Sequence, residues 1–294
     1  MTPAPADDLR HRPEPGARMR DSLFWQLALP EERLSLQCYL FLSGTGSCGW
    51  HLAVWGEGGA RLAFETGFTR LPDEADLDDV EVDGLRLRQP EPLRRAELAL
   101  EREGVAVELA FMGAHDPFSY CDNPDGLPAW FAADRYEQTG RLTGRVRVGE
   151  RVIAVDHPAH RDHSWGVRDW TAAQDWIWFV AYTASGAAVQ GWSWRTAEAA
   201  GAAGYVLRDG RAVPVARIDA RPLFDATGAP VALEATVFDT DGVATRVRLE
   251  SYGTLELPDD RNGVLVRESG CRAWIDGEAG AGQWENEGPQ VTDA

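Results

Sequence analysis

The ten-residue segment RDHSWGVRDW, residues 161–170, concentrates side chains that could perform chemistry. It contains two arginines, two aspartates, a histidine, a serine and two tryptophans. Successive side chains of an extended strand point to opposite faces, so Asp162 and Ser164 share one face. His163 and Trp165 share the other face, and we expect these two side chains to line a common pocket.

His163 is the natural proton donor or acceptor of this segment. An imidazole has an unperturbed pKa close to neutrality, and a neighbouring aspartate or arginine can tune it. The ring of Trp165 would supply an apolar wall or a π-face that stabilises a developing cation. These properties suit acid–base chemistry on a mostly hydrocarbon substrate. The candidate catalytic residues are Asp162, His163, Trp165, Arg168 and Asp169.

The same segment also fits a structural role. Arginine and carboxylate form bidentate pairs that fix loops, so Arg161 or Arg168 could bridge Asp162 or Asp169. His163 would then be buried and chemically inert. The two roles can coexist, and the composition of the segment leaves both open.

A second aromatic group falls in one predicted hairpin, with strands at residues 176–183 and 188–195. If Ser185-Gly186 is a strict two-residue turn, the two tryptophan pairs of this hairpin face opposite sides of the sheet. A shift of one residue brings all four together as an aromatic pocket, which is the usual form of a small-molecule site. The candidate substrate-binding residues are Arg161, Trp170, Trp176, Trp178, Trp192 and Trp194.

Most of the chain follows the two-residue period of β-strands. Short alternating runs are separated by the turn dipeptides at residues 83–84, 209–210, 241–242 and 276–277, all Asp-Gly. A spacing of about 8 to 12 residues between turns favours β-sandwiches or barrels over βαβ units. Helical periodicity is convincing only from Pro128 to Glu137, where we expect one short helix.

The length of 294 residues predicts two domains, because single cores stop growing near roughly 250 to 300 residues. We place a flexible N-terminal arm at residues 1–20 and a first β domain at residues 21–165. A second β domain follows at residues 166–288, and a tail at residues 289–294.

The composition excludes several functional classes. A formal net charge of −18 argues against nucleic acid as a partner, because phosphate backbones are bound by clustered cations. All 29 basic residues are arginines, which excludes lysine Schiff-base chemistry. The four cysteines form no CxxC pair, and neither a signal peptide nor a transmembrane segment is evident. We therefore expect a soluble, cytoplasmic protein.

A metal site is not expected at the histidine-rich stretch before the segment. Asp156, His157, His160 and His163 are close in sequence. On a strand, however, His157 and His163 would lie about 20 Å apart at roughly 3.3 Å per residue. One ion could bind both only if the chain folded back between them.

The stretch YEQTGRLTG at residues 136–144, followed by RDHSWGVRDW, resembles the AttH/carotenoid 1,2-hydratase-like superfamily, also called hydroxyneurosporene synthase-like. The resemblance is strong across residues 136–170. It implies an all-β fold of two lipocalin-like antiparallel β-barrels or half-barrels packed together. It also implies a lipophilic site at a barrel mouth or at the domain junction.

Members of this superfamily include enzymes that hydrate carotenoids, cyclise tocopherol precursors or fold polyketide-derived chains. By motif, His163 and Trp165 match the His-x-Trp of the hydratases, and Asp162 matches the acid before it. The Tyr-x-Asp that follows in the hydratases is absent, and its nearest counterparts are Tyr182-Thr183-Ala184 and Gln190-Gly191-Trp192. The resemblance adds Glu137 and Tyr182 to the candidate substrate-binding residues.

These observations favour a cofactor-independent lyase or isomerase, meaning a hydratase, dehydratase or cyclase. Its substrate would be a lipophilic terpenoid-like or polyketide-like small molecule, with no cofactor and no metal. The alternative is a non-catalytic lipocalin-like carrier or sensor of a lipophilic ligand. The sequence leaves the substrate, the direction of reaction and the oligomeric state open.

Overall fold

The computed structural model describes residues 2–13, 18–259 and 264–289, apart from the side chains of Trp170 and of residues 259, 288 and 289. The predicted role of the Trp170 side chain and most of the predicted tail therefore lie outside the described residues. Across the described chain, strands dominate, and the helical segments are single 3-10 turns at Pro5–Asp8, Glu57–Gly59, Tyr120–Asp122 and Trp170–Ala172. No helix among them is long and apolar enough to cross a membrane.

The first half of the chain forms one antiparallel sheet of eleven strands, which we call the N-terminal sheet. The bounds are β1 Arg20–Leu29, β2 Leu34–Ser43, β3 Ser47–Gly56, β4 Arg61–Arg70, β5 Asp79–Val82, β6 Leu85–Glu91, β7 Arg95–Arg102, β8 Val105–Gly113, β9 Phe118–Ser119, β10 Asp134–Val148 and β11 Arg151–Gly166. The strand order is β4-β3-β2-β1-β11-β10-β8-β7-β6-β5, and β9 also pairs with β10. The long strands β10 and β11 therefore lie side by side at the centre of the sheet.

The second half forms a closed antiparallel barrel of eight strands, which we call the C-terminal barrel. The bounds are β12 Ala173–Thr183, β13 Ala188–Thr196, β14 Ala200–Arg208, β15 Arg211–Phe224, β16 Pro230–Asp239, β17 Ala244–Asp259, β18 Val264–Ile275 and β19 Glu278–Pro289. Each strand pairs with the next, and β12 pairs with β19 to close the ring. The pairing is shortest between β14 and β15, which share four residue pairs next to their turn.

The predicted all-β architecture is confirmed, but the predicted helix at Pro128 to Glu137 is wrong. Turns occupy this region, and β10 begins at Asp134. Residues from Asp134 onward pair continuously with β11, with Glu137 opposite Asp162. A long run of ladder hydrogen bonds outweighs a weak helical periodicity, because tertiary pairing overrides intrinsic propensity.

Alternation along the strands builds four apolar clusters among the described residues, of which three are large. One fills the N-terminal sheet, and a second fills the barrel interior around Phe179, Leu249 and Trp284. The third cluster joins the two halves, because it combines Phe118 and Phe131 of the first half with tryptophans of β12 and β13. This third cluster makes the junction between the halves a packed interface.

Further contacts tie the two halves together. The indole Nε1 of Trp55 donates to the carbonyl oxygen of Gly253 at 3.1 Å. The hydroxyl oxygens of Ser35 and Tyr252 lie 2.6 Å apart.

The N-terminal sheet ends at residue 166 and the barrel begins at residue 173. The division into domains at residues 165 and 166 stays a prediction.

The chain before β1 is docked at residues 5–12, where we expected a flexible arm. Asp8 is fully buried, and its Oδ2 accepts a hydrogen bond from the backbone N–H of Leu93 at 2.5 Å. Arg161 Nη1 lies 3.2 Å from both carboxylate oxygens of Asp8, and the Tyr136 hydroxyl donates to the same carboxylate. These partners are distant in sequence, so the proline-rich composition of the arm gave no sign of them.

Candidate functional site

A cavity of about 520 Å³ lies between the N-terminal sheet and the C-terminal barrel. Strands β1, β2, β3, β10 and β11 supply much of its polar wall, and the barrel supplies three tryptophans of its aromatic wall. The lining residues are Arg20, Ser22, Phe24, Gln37, Tyr39, His51, Phe131, Arg135, Asp162, Ser164, Arg168, Trp176, Trp178, Trp192, Leu257, Pro258, Val264, Val266, Glu268 and Glu285. Its volume falls in the range that binds small molecules.

The aromatic wall arises from the register of the β12–β13 hairpin. Trp176 pairs with Trp194, and Trp178 pairs with Trp192. Directly paired residues share a face, so all four indoles lie on the side facing the N-terminal sheet. The structure therefore has the register that brings the four together. Trp176, Trp178 and Trp192 line the cavity, whereas Trp194 packs behind them in the same cluster.

A buried ionic group lies on the polar wall. Arg135 Nε donates to Glu137 Oε1 at 2.6 Å, and Arg135 Nη2 lies 2.9 Å from Asp162 Oδ2. Trp178 Nε1 also donates to Glu137 Oε1, at 3.1 Å. Although Glu137 is fully buried, the charge of Arg135 and the bond from His160 outweigh desolvation and lower its pKa to about 2. Glu137 is therefore a fixed anion behind the cavity wall.

Asp162 has the opposite electrostatic character. Desolvation by burial raises its pKa to about 8, and the negative charge of Glu137 acts in the same direction. The attraction of Arg135 opposes this shift but is smaller than the desolvation effect. A carboxylic acid that keeps its proton near neutral pH is suited to general acid catalysis.

Two more acids reach the cavity from the barrel. Gln283 Nε2 donates to Glu268 Oε2 at 2.7 Å, and Trp176 Nε1 donates to Glu285. Burial raises the pKa of both glutamates, and for Glu268 the charge of Glu285 adds to the effect. The barrel therefore faces Asp162 with carboxyl groups that tend to hold protons.

His160 connects the ionic group to a chain of hydrogen bonds at the junction. Its Nε2 donates to Glu137 Oε2 at 2.6 Å, and its Nδ1 lies 3.3 Å from the hydroxyl of Thr139. That hydroxyl lies 2.6 Å from the hydroxyl of Tyr205 in the barrel. Because burial lowers the pKa of His160, the imidazole is neutral and holds Glu137 in place.

The predicted alternation within RDHSWG is present, but it places His163 and Trp165 away from the cavity. Asp162 and Ser164 line the cavity, whereas His163 and Trp165 do not. The two rings lie near each other, with centroids 5.3 Å apart. They face the interior of the N-terminal sheet, where the ring of His11 stacks on Trp165 at 4.0 Å. The expected common pocket is therefore filled by the chain itself.

His163 instead belongs to a cluster with the docked arm. Its Nε2 lies 3.3 Å from Asp21 Oδ1, and His11 Nδ1 lies 2.7 Å from the same oxygen. These are the described residues that could offer three metal ligands, with ligand atoms within 4.8 Å of one another. The cluster does not involve Asp156, His157 or His160. Two imidazoles and a carboxylate fit a transition-metal ion, and they fit equally an Asp-centred hydrogen-bond network.

The remaining predicted site residues divide between the cavity and other places. Arg168 lines the cavity, and its Nη2 donates to Ser164 Oγ. Arg161 pairs with Asp8 on the opposite face. Asp169 accepts from the backbone of Thr171, and the hydroxyl of Tyr182 accepts from the backbone N–H of Ala28 at 3.2 Å. Arg161 therefore acts as a strut, but its partner is Asp8 and not the predicted Asp162 or Asp169. Asp162 and Arg168 line the cavity, where Asp162 pairs with Arg135.

Several cavity residues escaped the sequence reasoning. Arg20 and Ser22 lie on β1, Tyr39 lies on β2 and His51 lies on β3, and none of these four residues has a predicted functional role. Arg135 immediately precedes the YEQTG motif, and this adjacency is the sequence feature that could have identified Arg135 as a site residue. The glutamates of β18 and β19 lie far downstream, and only the closed barrel brings them to the cavity.

Solved structures with the same architecture cover nearly the whole chain. A Nitrosomonas europaea protein described as a candidate AttH superposes with a TM-score of 0.67 at 16% identity, covering 95% of each chain. Kievitone hydratase from Nectria haematococca gives 0.61 at 11% identity, covering 99% of this chain and 94% of that one. CghA with Sch210972 gives 0.61 at 11% identity, covering 93% and 88%. The AttH-like fold expected from the motifs is confirmed.

Sequence comparison identifies the family. None of the curated protein sequences matches the chain. The family model described as "Domain of unknown function (DUF7064)" matches residues 4–290. The chain, with its eleven-stranded sheet, closed barrel and cavity between them, is a member of the DUF7064 family.

Proposed function

We propose that the chain is a cofactor-independent lyase or isomerase that acts on a lipophilic small molecule in the cavity between its two halves. The observation that carries this proposal is the placement of Asp162. Its carboxyl group reaches the cavity, holds a proton near neutral pH and faces a wall of three indoles. This combination supplies an acid and an apolar surface from the chain's own side chains.

The proposed reaction begins with proton transfer from Asp162. In the direction of hydration, the proton adds to one carbon of a double bond and leaves a cation on the other carbon. The faces of Trp176, Trp178 and Trp192 stabilise that cation. Water adds to the cation and gives up a proton to an ionised carboxylate of the cavity. Elimination reverses these steps, and cyclisation replaces water by an internal double bond.

The neighbouring carboxyl groups suit the second proton transfer. Glu268 and Glu285 line the barrel side of the same cavity. Because they interact with each other and with Asp162, loss of one proton makes loss of the next harder. The set can therefore hold one ionised member as the base while Asp162 remains the acid.

The comparisons support this proposal at the level of fold. Kievitone hydratase is named as a hydratase, and CghA was solved with the small molecule Sch210972. Both share the two-part architecture, and at 11% identity the likeness supports a small-molecule cavity without specifying a substrate. The carrier alternative uses the same cavity and differs in having no turnover.

A comparison of wild type with an isosteric variant of Asp162 distinguishes an enzyme from a carrier. We would incubate the purified protein with lipophilic extracts of its producing strain and identify captured and released compounds by mass spectrometry. The proposal predicts that wild type releases a chemically changed compound, while Asp162→Asn captures the same compound unchanged. A His163→Ala variant should still convert it if that variant folds. Capture of an unchanged compound by wild type would identify a carrier.

A further inference from the structure

The cavity has a cationic end formed by two arginines. Arg20 extends from the start of β1, and Arg168 follows β11. Ser22 and Ser164 pair directly across β1 and β11, and both line the cavity beside the arginines. The hydroxyl of Tyr39 lies 2.9 Å from the Ser22 hydroxyl. Two guanidinium groups and three hydroxyls therefore share one region of the wall.

Arg20 has no counter-ion among the residues that the structure describes. Its guanidinium lies over the rings of Phe41 and Tyr39, at 4.4 and 5.4 Å from the centroids. Its Nε is buried and has no hydrogen-bond partner. Most other arginines of this acidic chain pair with a carboxylate, as Arg135 does with Glu137. Within the described part of the chain, Arg20 is therefore a cation held at the cavity without a neutralising group.

Arg168 places a second positive charge near the first. Burial lowers the pKa of Arg168 to about 10, and the charge of Arg20 also lowers it. The guanidinium nevertheless keeps its proton at pH 7. Two like charges facing one cavity repel each other, and an anion bound between them would relieve that repulsion through charge-assisted hydrogen bonds.

The glutamates that the structure describes at the cavity have partners away from Arg20. Glu137 is committed to Arg135 and His160 behind the wall. On the barrel side, Gln283 donates to Glu268 and Trp176 donates to Glu285, and burial raises the pKa of both glutamates. Among the described residues, Arg20 therefore lacks a paired carboxylate, and a ligand can bring that negative charge.

We propose that the substrate carries an anionic oxygen group, such as a carboxylate or an acidic enol, which Arg20 and Arg168 bind together with the hydroxyls of Ser22 and Ser164. This inference rests on the proposed function, because it assigns the substrate of the same cavity. The hydrocarbon body of the substrate packs on the indole wall. The anionic group then fixes which carbon lies beside Asp162.

Two retinoids provide a matched test, because all-trans-retinoate and all-trans-retinol share a hydrocarbon body and differ in the terminal group. Both quench tryptophan fluorescence, and three indoles line the cavity. We would measure both dissociation constants at pH 8 for wild type, Arg20→Met and Arg61→Met. Arg61 is the control, because it is exposed, stacks on Phe64 at 4.7 Å and does not line the cavity.

Wild type and Arg61→Met should bind retinoate about tenfold more tightly than retinol, as expected for a charge-assisted bond. Arg20→Met should lose most of this preference while its affinity for retinol stays within about twofold. Equal binding of the two retinoids by wild type would overturn the anion site and leave the lipophilic cavity standing. Binding of neither would overturn the anion site and remove the support for the proposed function.

Discussion

Oδ2 of Asp162 lies 2.9 Å from Nη2 of Arg135, yet the pKa of Asp162 is raised to about 8. The arginine is shared with Glu137, whose Oε1 lies 2.6 Å from Nε. Glu137 is the ionised carboxylate of the two, because it also accepts hydrogen bonds from His160 and Trp178. The more weakly bonded Asp162 keeps its proton. Two carboxyl groups on neighbouring strands are thus separated into an anion and an acid.

The pH dependence of stability should reveal the protonated Asp162. The unfolded aspartate loses its proton near pH 4, whereas the folded one keeps it to about pH 8. This contribution to stability is therefore complete below about pH 4 and is lost as the pH rises through 8. Asp162→Asn cannot titrate. Between pH 5 and 8, the free energy of unfolding of wild type should fall by a few kcal/mol relative to the variant. Parallel urea-denaturation curves across this range would contradict the assignment.

Removing the charge of Glu137 should be much more damaging. Glu137→Gln leaves the buried guanidinium of Arg135 with a protonated neighbour as its remaining carboxyl partner. Loss of one partner of a buried pair costs about 3–5 kcal/mol. The matched control is Glu108→Gln, which removes an exposed pair with Arg145 at 2.6 Å and should cost under about 1 kcal/mol. Similar midpoints of chemical denaturation for the two variants would show that the buried pair is unimportant.

The arm should detach when Asp8 loses its charge. Asp8→Asn leaves Arg161 buried opposite a neutral amide and should destabilise the protein by about 3–5 kcal/mol. Hydrogen exchange should rise across residues 5–12 before it rises in β10 and β11. Asp7→Asn is the control, since the Asp7 side chain accepts a hydrogen bond from the nearby backbone N–H of Ala4, in an exposed position. Unchanged exchange in Asp8→Asn would mean that other contacts hold the arm.

The indole wall predicts a difference between two tryptophans of strand β13. Trp192→Leu removes a ring that lines the cavity, whereas Trp194→Leu removes a ring of the same hairpin that does not. An aromatic contact contributes about 0.5–1.5 kcal/mol, so Trp192→Leu should weaken retinol binding about threefold to tenfold. Trp194→Leu should leave it nearly unchanged. Isothermal titration calorimetry measures both, and equal losses would place the ligand elsewhere.

The sequence predicted the fold well because β alternation and Asp-Gly turns are local signals. Strand β2 and the hairpin at residues 83–84 needed no tertiary information. Among the strands that escaped prediction, β1 is buried along almost its whole length and shows little alternation, and β4 is half-exposed throughout. Their assignment depends on what packs against each face.

The site was only partly predictable for a related reason. Alternation correctly separated Asp162 and Ser164 from His163 and Trp165, but it cannot tell which face meets the other half of the molecule. That choice depends on the docking of Asp8 and His11 against one face. The register of the tryptophan hairpin was likewise open until its pairing was seen. No local sequence motif around Glu268 or Glu285 marks these glutamates as site residues.

Transfer of a proton from Asp162 to carbon is the central claim, and isotope incorporation tests it most directly. Wild type and Asp162→Asn would be incubated in deuterated buffer with the captured compound, and the product examined by mass spectrometry and NMR. The account predicts one deuterium at a single carbon in the wild-type product and none above the uncatalysed level with Asp162→Asn. Equal incorporation by the two proteins, or a wild-type product without deuterium, would contradict it.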